Sequence, residues 1–195
     1  MKRLFDLLVS LLLILVTSPL WVIIGFLIKC SIGGNVFFVQ RRIGRDCKEF
    51  NLIKFRTMRP EILVGDKSDE RKRLTTITSF LRNSSLDEIP ELINVVKGEM
   101  SLIGPRPLLV EYLPHYSQVQ NLRHRVRPGI TGLAQISGRN QLKWKKKFQY
   151  DIYYVRNNNF CLDIAILLKT IGSIFDFSNV NSSKEISMPR FTGKD

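Results

Sequence analysis

From Leu4 to Ile28 the chain is almost continuously apolar, interrupted only by Asp6, Ser10, Thr17 and Ser18. A helix over that run would reach roughly 37 Å, against a hydrocarbon core of about 30 Å. The run is too long for the apolar region of a secretory signal, and no small-x-small cleavage site follows it. A transmembrane helix is one reading. Two features argue for another. Ser18-Pro19 falls near the middle, where proline lacks an N–H and crowds the carbonyl four residues back, so a kink or break is expected. Both flanks are also basic: Lys2 and Arg3 before the run, and Lys29, Arg41, Arg42, Arg45 and Lys48 after it. Basic flanks prefer the cytoplasmic side. A straight span cannot put both there, whereas a re-entrant hairpin bent at Ser18-Pro19 can. On these grounds the two readings stand even.

Beyond this segment the pattern changes. Val36–Val39 and Glu49–Phe55 are short β-prone runs, joined by a hairpin loop over Arg42–Asp46. Met58–Lys72 is polar and irregular and reads as a loop. Arg73–Arg82 places Leu74, Ile77, Phe80 and Leu81 on one helical face. A helix with acidic residues in its first turn follows from Ser85. Gly104-Pro105-Arg106-Pro107 and Arg127-Pro128-Gly129-Ile130-Thr131-Gly132 are rigid turns. Leu109–Arg125 and Cys161–Phe177 read as helices, Leu142–Val155 is rich in aromatics and lysines, and the tail from Ser178 is polar.

Composition adds a partner class. Lys plus Arg outnumber Asp plus Glu by 30 to 17, a net charge of +13 over 195 residues. That implies a polyanionic partner: nucleic acid, anionic lipid or a phosphorylated substrate. The three cysteines (Cys30, Cys47, Cys161) form no zinc or disulfide pattern. Two histidines, His115 and His124, are too few for a histidine-based site. Lysines 143 and 145 to 147 interleave with Trp144, Phe148, Tyr150, Tyr153 and Tyr154, which suits nucleic acid or an anionic membrane surface.

The candidate chemistry centres on Asp87 and Glu88. One reading is structural: Ser85 as N-cap and Glu88 three residues on form a capping box, with both carboxylates stabilised by the helix dipole. The other is catalytic. A carboxylate at a helix start can attack phosphorus, and the free N–H groups there receive phosphate oxygens. Adjacent helical residues point roughly 100° apart, so the pair would hold separate jobs. A divalent metal would bridge carboxylate and diphosphate. Arg106, held between two prolines, is a fixed oxyanion partner. Lys54, Arg56, Arg82 and Arg127 are further candidates for a diphosphate pocket.

The ordered blocks Ser18-Pro19, Lys54–Met58, Leu86-Asp87-Glu88, Gly104–Pro107 and Arg127–Gly132 resemble those of the small monotopic phosphoglycosyl transferases, the bacterial sugar transferases. The likeness runs nearly end to end. The run from Pro107 to Pro114, Ser183–Glu185 and Phe191–Lys194 are similar to the minimal members that start N-linked glycan assembly.

The resemblance implies a reaction: a UDP-sugar donates its phosphosugar to polyprenyl (undecaprenyl) phosphate, giving polyprenyl-diphosphate-sugar and UMP. It implies Asp87 as nucleophile through a covalent aspartyl-phosphosugar, with Mg²⁺ held by Asp87 and Glu88. Glu88 would be the metal or proton-handling partner. It further implies an α+β, helix-rich fold: a re-entrant membrane helix over residues 1–30 broken at Ser18-Pro19, then a catalytic domain over 31–195 with a small β-hairpin and amphipathic interface helices. The place would be the cytoplasmic face of a bacterial inner membrane, at the inner leaflet, with no nucleic-acid partner. The loop over 58–72 is short for the family. The sugar is not legible. Two other readings remain: a membrane-anchored module binding nucleic acid or lipid, and a single-span scaffold in which Asp87-Glu88 is only a cap.

Overall fold

A computed structural model describes residues 1–59, 70–138, 142–175 and 190–193. Most of the 58–72 loop and of the tail after Ser178 lies outside them. The first helix, α1, spans Lys2–Ile32 without interruption. The expected division at Pro19 is therefore not found: the segment is a single helix. Local chemistry shows how the proline is accommodated. Its missing N–H would have bonded Leu15 O, and Ser18 Oγ donates there instead at 2.8 Å. Thr17 Oγ1 likewise bonds Leu13 O at 2.7 Å and accepts from Trp21 Nε1 at 3.0 Å. The hydroxyls keep the turn satisfied in an apolar setting.

Both ends of α1 are pinned to the rest of the chain. Lys2 Nζ pairs with Asp163 at 2.6 Å, and Arg3 donates to Val95 O and Val96 O at 2.6 and 2.9 Å. Asp6 is buried and accepts from Ser101 Oγ at 2.8 Å and from Leu102 N at 3.2 Å. At the other end Ile24, Ile28 and Ile32 pack with Phe55 and Leu81. Ser31 and Thr75 share a hydroxyl hydrogen bond. Between these anchors Leu11, Leu12, Leu15, Val16, Val22 and Ile23 are exposed. The helix is long and apolar enough to cross a membrane, yet only 11% of its most apolar stretch is buried. That is unlike a core helix and compatible with membrane association.

β1 (Phe37–Ile43) and β2 (Glu49–Phe55) form an antiparallel hairpin. Its tight turn, closed by Lys48 N to Arg45 O, places Asp46 and Cys47 at positive φ, as right-twisted hairpins require. α2 (Thr76–Asn83) is capped by Thr75, whose side chain and that of Thr78 bond each other's backbone N–H. It buries Leu81 and exposes Ile77 and Phe80. A 3₁₀ turn over Leu86–Glu88 leads into α3 (Glu91–Lys97). α3 docks on the hairpin through buried Asn94, which accepts from Ile53 N and donates to Asn51 O, completing the edge of β2.

A second sheet was not expected. β3 (Ser101–Ile103) runs parallel to β4 (Gly129–Thr131), which joins the two proline turns. Gly104 N bonds Thr131 O, and Gly129 N bonds Pro105 O. The backbones meet so closely that a Cβ on Gly129 would fall on Gly104 N, and one on Gly132 on Gly104 O. Glycine is needed there for close approach rather than for flexibility.

The expected helix over 109–125 divides into a 3₁₀ segment over Val110–His115, α4 (Gln118–Asn121) and a 3₁₀ turn over Leu122–Arg125. Pro114 removes a donor, and Ser117 starts a fresh cap. α5 (Leu133–Ile136), α6 (Trp144–Asn157) and α7 (Phe160–Phe175) follow. On α6, Trp144 and Phe148 turn inward onto Tyr112 and Phe191, and Tyr154 joins the main core. Trp144, Phe148 and Tyr154 are therefore core residues, while Tyr153 of the same helix is exposed.

Asp6→Ala would leave Leu102 N–H and the Ser101 hydroxyl without their buried acceptor. The expected loss is roughly 1–3 kcal/mol of stability, with faster hydrogen exchange at the Leu102 amide, measured in detergent micelles. Parent-like stability and protection would show that the first turns of α1 are held by packing alone.

Candidate active site

Asp87 and Glu88 come together with their partners through three elements. Glu88 Oε1 accepts from Lys54 Nζ of β2 at 2.6 Å and from Arg106 Nη2 at 2.5 Å. Arg106 Nη1 lies 3.4 Å from Oε2. Lys54 also reaches Glu91 Oε1 at 2.9 Å. Burial by itself would raise Glu88, but Arg106 and Lys54 overcome it and hold the carboxyl well below the usual range. Glu88 in turn keeps the Arg106 guanidinium more firmly protonated than usual.

Asp87 is buried, and its carboxylate takes no hydrogen bond or ion pair from the described residues. Burial, reinforced by the Glu88 charge, pushes it up to about 6, against the pull of Lys54, Arg106 and Arg82. The two neighbours thus differ: one carboxylate is spent on cations, and the other is held near cations without being bound. That is the pattern of a nucleophile beside an orienting anion.

The capping box is not formed. Ser85 lies in the left-handed region at φ 58° and makes no side-chain cap bond. Ser84 Oγ bonds Phe80 O and Leu81 O of α2 instead. The carboxylates therefore sit on a 3₁₀ turn ahead of α3, with Pro90 between.

The other expected cations go to different places. Arg82, at the end of α2, contributes charge to Asp87 and lies 3.5 Å from Met58 Sδ. Arg127 is not brought to the carboxylates: its Nε donates to Gly98 O at 2.8 Å, at the opposite end of α3. With Arg3 it caps the α3 carbonyls, the place where a helix end favours cations. Arg56 follows β2 and has no hydrogen bond or ion pair to Asp87 or Glu88; its Nε is buried without a partner among the described residues.

Two site residues were missed. Glu91 is almost wholly buried and shares Lys54 with Glu88. The spacing of Glu88 and Glu91, three apart, was the available signal. Arg123 is the second. It pairs with buried Asp151 through Nε and Nη2 at 3.0 and 2.9 Å and donates Nη2 to Arg106 O at 2.7 Å. Its Nη1 lies 3.4 Å from the Tyr116 hydroxyl. It holds the backbone of the residue that grips Glu88, and nothing local in the sequence marks it. Among the described residues no group of three or more His, Cys, Asp or Glu side chains gathers to hold a metal.

Burial pushes Glu91 up from 4.5 to about 7, against the pull of Lys54. A carboxyl raised on folding stabilises the fold below its unfolded value, and that contribution is lost as pH rises through the folded value. Glu91→Gln, which cannot ionise, should therefore melt a few degrees above the parent near pH 8. Near pH 4, below the unfolded value, the two should melt alike. Equal melting at both pH values would show that Lys54 fully compensates the Glu91 charge.

Comparison with known proteins identifies the family. The chain matches the family model described as bacterial sugar transferase over residues 1–177. It is similar to the sugar transferase EpsL of Bacillus subtilis (strain 168), 44% identical over 99% of this chain and 96% of that protein. It is 37% identical to the exopolysaccharide production protein ExoY of Sinorhizobium fredii (strain NBRC 101917 / NGR234), over 89% of this chain and 84% of that one. It is 40% identical to the UDP-glucose:undecaprenyl-phosphate glucose-1-phosphate transferase of Klebsiella pneumoniae, over 87% of this chain but 39% of that longer protein. With a family match over most of its length and a relative 44% identical over nearly all of both chains, the chain belongs to the bacterial sugar transferases.

Proposed function

We propose that this chain moves a sugar-1-phosphate from a UDP-sugar to polyprenyl phosphate, with Asp87 as the covalent nucleophile. The observation that carries the reading is the split between the two carboxylates. Asp87 is near cations but unbound, whereas Glu88 is fixed by Lys54 and Arg106. An Asp87 oxygen attacks the sugar-bearing phosphorus, the bond from that phosphorus to the bridging oxygen breaks, and UMP leaves. An oxygen of the lipid phosphate then attacks the same phosphorus and the Asp87–phosphorus bond breaks, restoring the carboxylate. Lys54, Arg106 and Arg82 offset the charge gathered there.

The geometry sharpens the role of Glu88. A carboxylate held ionised by two cations is a weak proton acceptor. In this reading it orients Lys54 and Arg106 rather than deprotonating the acceptor. Mg²⁺ fits the donor set, since it binds through one or two carboxylates plus phosphate oxygens and water. Asp87 offers the open carboxylate, because Glu88 Oε1 is already shared by two cations. When bound, the ion would neutralise diphosphate charge.

For topology, the anchoring of both ends of α1 on one body supports a segment that meets one leaflet without crossing the membrane. The basic flanks favour the cytoplasmic face of a bacterial inner membrane. The same anchoring disfavours a single-span scaffold, and the burial of Trp144 and Phe148 of α6 removes two of the rings that base stacking would use. The relatives named above suggest an undecaprenyl carrier and an exopolysaccharide product, more than the N-linked glycan suggested by the tail motif.

The test is UMP release across a panel of UDP-sugars with polyprenyl phosphate and Mg²⁺. Asp87→Asn should lose on the order of 10³-fold or more; near-normal turnover would remove Asp87 from the reaction. Glu88→Gln should slow both half-reactions, since both need the oriented cations. Normal first-step UMP release with a block only in transfer to lipid would return Glu88 to proton handling.

A further inference from the structure

The register of the hairpin sets one exposed ring beside the carboxylate site. β1 pairs with β2 so that Phe38 stands directly opposite Lys54, Phe37 opposite Phe55 and Val39 opposite Ile53. Directly opposed residues of an antiparallel pair project from the same face, with Cβ atoms about 5 Å apart. The Phe37–Phe55 pair shows this on one face. Its rings stack at 5.4 Å, and Trp21 of α1 lies 6.4 Å from the Phe37 ring and 5.7 Å from the Phe55 ring. Phe38 and Lys54 share the other face. Lys54 gives its ammonium to Glu88 and Glu91, at 2.6 and 2.9 Å. Phe38 is its neighbour across the hairpin, and 42% of it is exposed.

A single exposed phenylalanine is ordinary, but this one ends a longer apolar run. Phe37 and Val39 on either side of it are exposed as well, so the start of β1 is uncovered on both faces. The run continues onto α1. A Cβ on Gly25 would lie 3.5 Å from Val36 Cγ1, so the residue just before β1 packs on this stretch of the helix. Val22 and Phe26, three residues before Gly25 and one after it, are exposed. Apolar surface thus passes from the uncovered middle of α1, through the start of β1, to the residue beside Lys54. Further along the same face β1 turns polar, where Gln40 Oε1 accepts from Arg42 Nη2 at 2.7 Å. The apolar path therefore stops at Phe38, next to the Lys54 and Arg106 cations that grip Glu88.

We propose that Phe38 is the subsite for the first isoprenoid units of the lipid acceptor, seating the chain where it leaves its phosphate. This rests on the transferase reading above. The match is one of charge and polarity together. The acceptor is an amphiphile with a phosphate monoester at one end. The surface offers cations at one end and an apolar path to the exposed middle of α1 at the other. A uridine ring is the rival occupant, since bases stack on aromatic side chains. A nucleoside, however, gains nothing from an apolar path that runs on to α1. Phe38 then serves the transfer to lipid and not the attack on the UDP-sugar.

The measurement is calorimetric binding of farnesyl phosphate, and separately of UMP, to the full chain in detergent micelles. Both probes are phosphate monoesters, and only the first carries an isoprenoid chain. Phe38→Gln should weaken farnesyl phosphate binding by roughly fivefold or more, the weight of partly burying one aromatic side chain. Phe38→Leu should keep most of the affinity, and neither variant should change UMP binding. Leu168→Gln, which removes an exposed apolar side chain from α7, should bind farnesyl phosphate like the parent. If Phe38→Gln does not fold, Phe38→Thr, which suits a strand, carries the same test. Unchanged farnesyl phosphate affinity, an equal loss in Leu168→Gln, a loss in UMP binding instead, or no farnesyl phosphate binding by the parent would overturn the assignment. Farnesyl phosphate binding that depends on Phe38 in a chain that releases no UMP from any UDP-sugar would uphold the subsite and remove the transferase reading instead.

Discussion

The structure around the site depends on neutralising Glu88. A carboxylate taken out of water costs several kcal/mol unless cations and hydrogen bonds compensate it. Here the compensation comes from two distant segments: Lys54 from β2 and Arg106 from a proline turn. That requirement ties the hairpin, the 3₁₀ turn and the Gly104–Pro107 turn into one arrangement. Arg106 is secured in turn by Arg123 on its carbonyl and by the close backbone contact of Gly104 with Gly129 and Gly132. Asp87 gains from all of this without joining it. It stays buried near three cations, with a carboxylate that no described residue engages.

The first helix shows the same economy at a larger scale. Some of its polar positions, which look like defects in an apolar run, satisfy or fasten it. Asp6 closes on β3, Ser18 takes the carbonyl that Pro19 cannot serve, and Lys2 and Arg3 reach α7 and α3. The apolar middle is left uncovered, while its two ends stay with the catalytic body. On the proposed reaction, the active site meets a lipid phosphate and a soluble nucleotide and needs both phases within reach. A helix held at both ends and exposed between them meets that need.

The legible parts of the fold were those with sustained periodicity or a sharp local signal. β2 was read at Glu49–Phe55, and α7 within two residues at each end, because their apolar positions are sustained over the whole element. What failed was decided by tertiary contacts. β3 and β4 are too short to show any period, and they pair across a long sequence separation. Ser85 looks like a cap but is turned left-handed by the junction with α2. Arg106 and Arg127 sit in similar proline turns, yet one meets Glu88 and the other caps the far end of α3. The Asp87-Glu88 pair was visible, and so was the expectation that neighbours take separate roles. Which residue does what required Lys54 and Arg106 in place. Glu91 and Arg123 act through partners on other elements, so no local pattern exposes them.

The central claim is that Asp87 carries the phosphosugar. Its most direct test is intact-protein and peptide mass analysis after brief exposure to the UDP-sugar with no lipid acceptor, quenched in acid. The account predicts a mass gain of one sugar phosphate, located on the peptide containing Asp87 and discharged when polyprenyl phosphate is added. A chain that releases UMP with no adduct, or with the adduct on another residue, would contradict it.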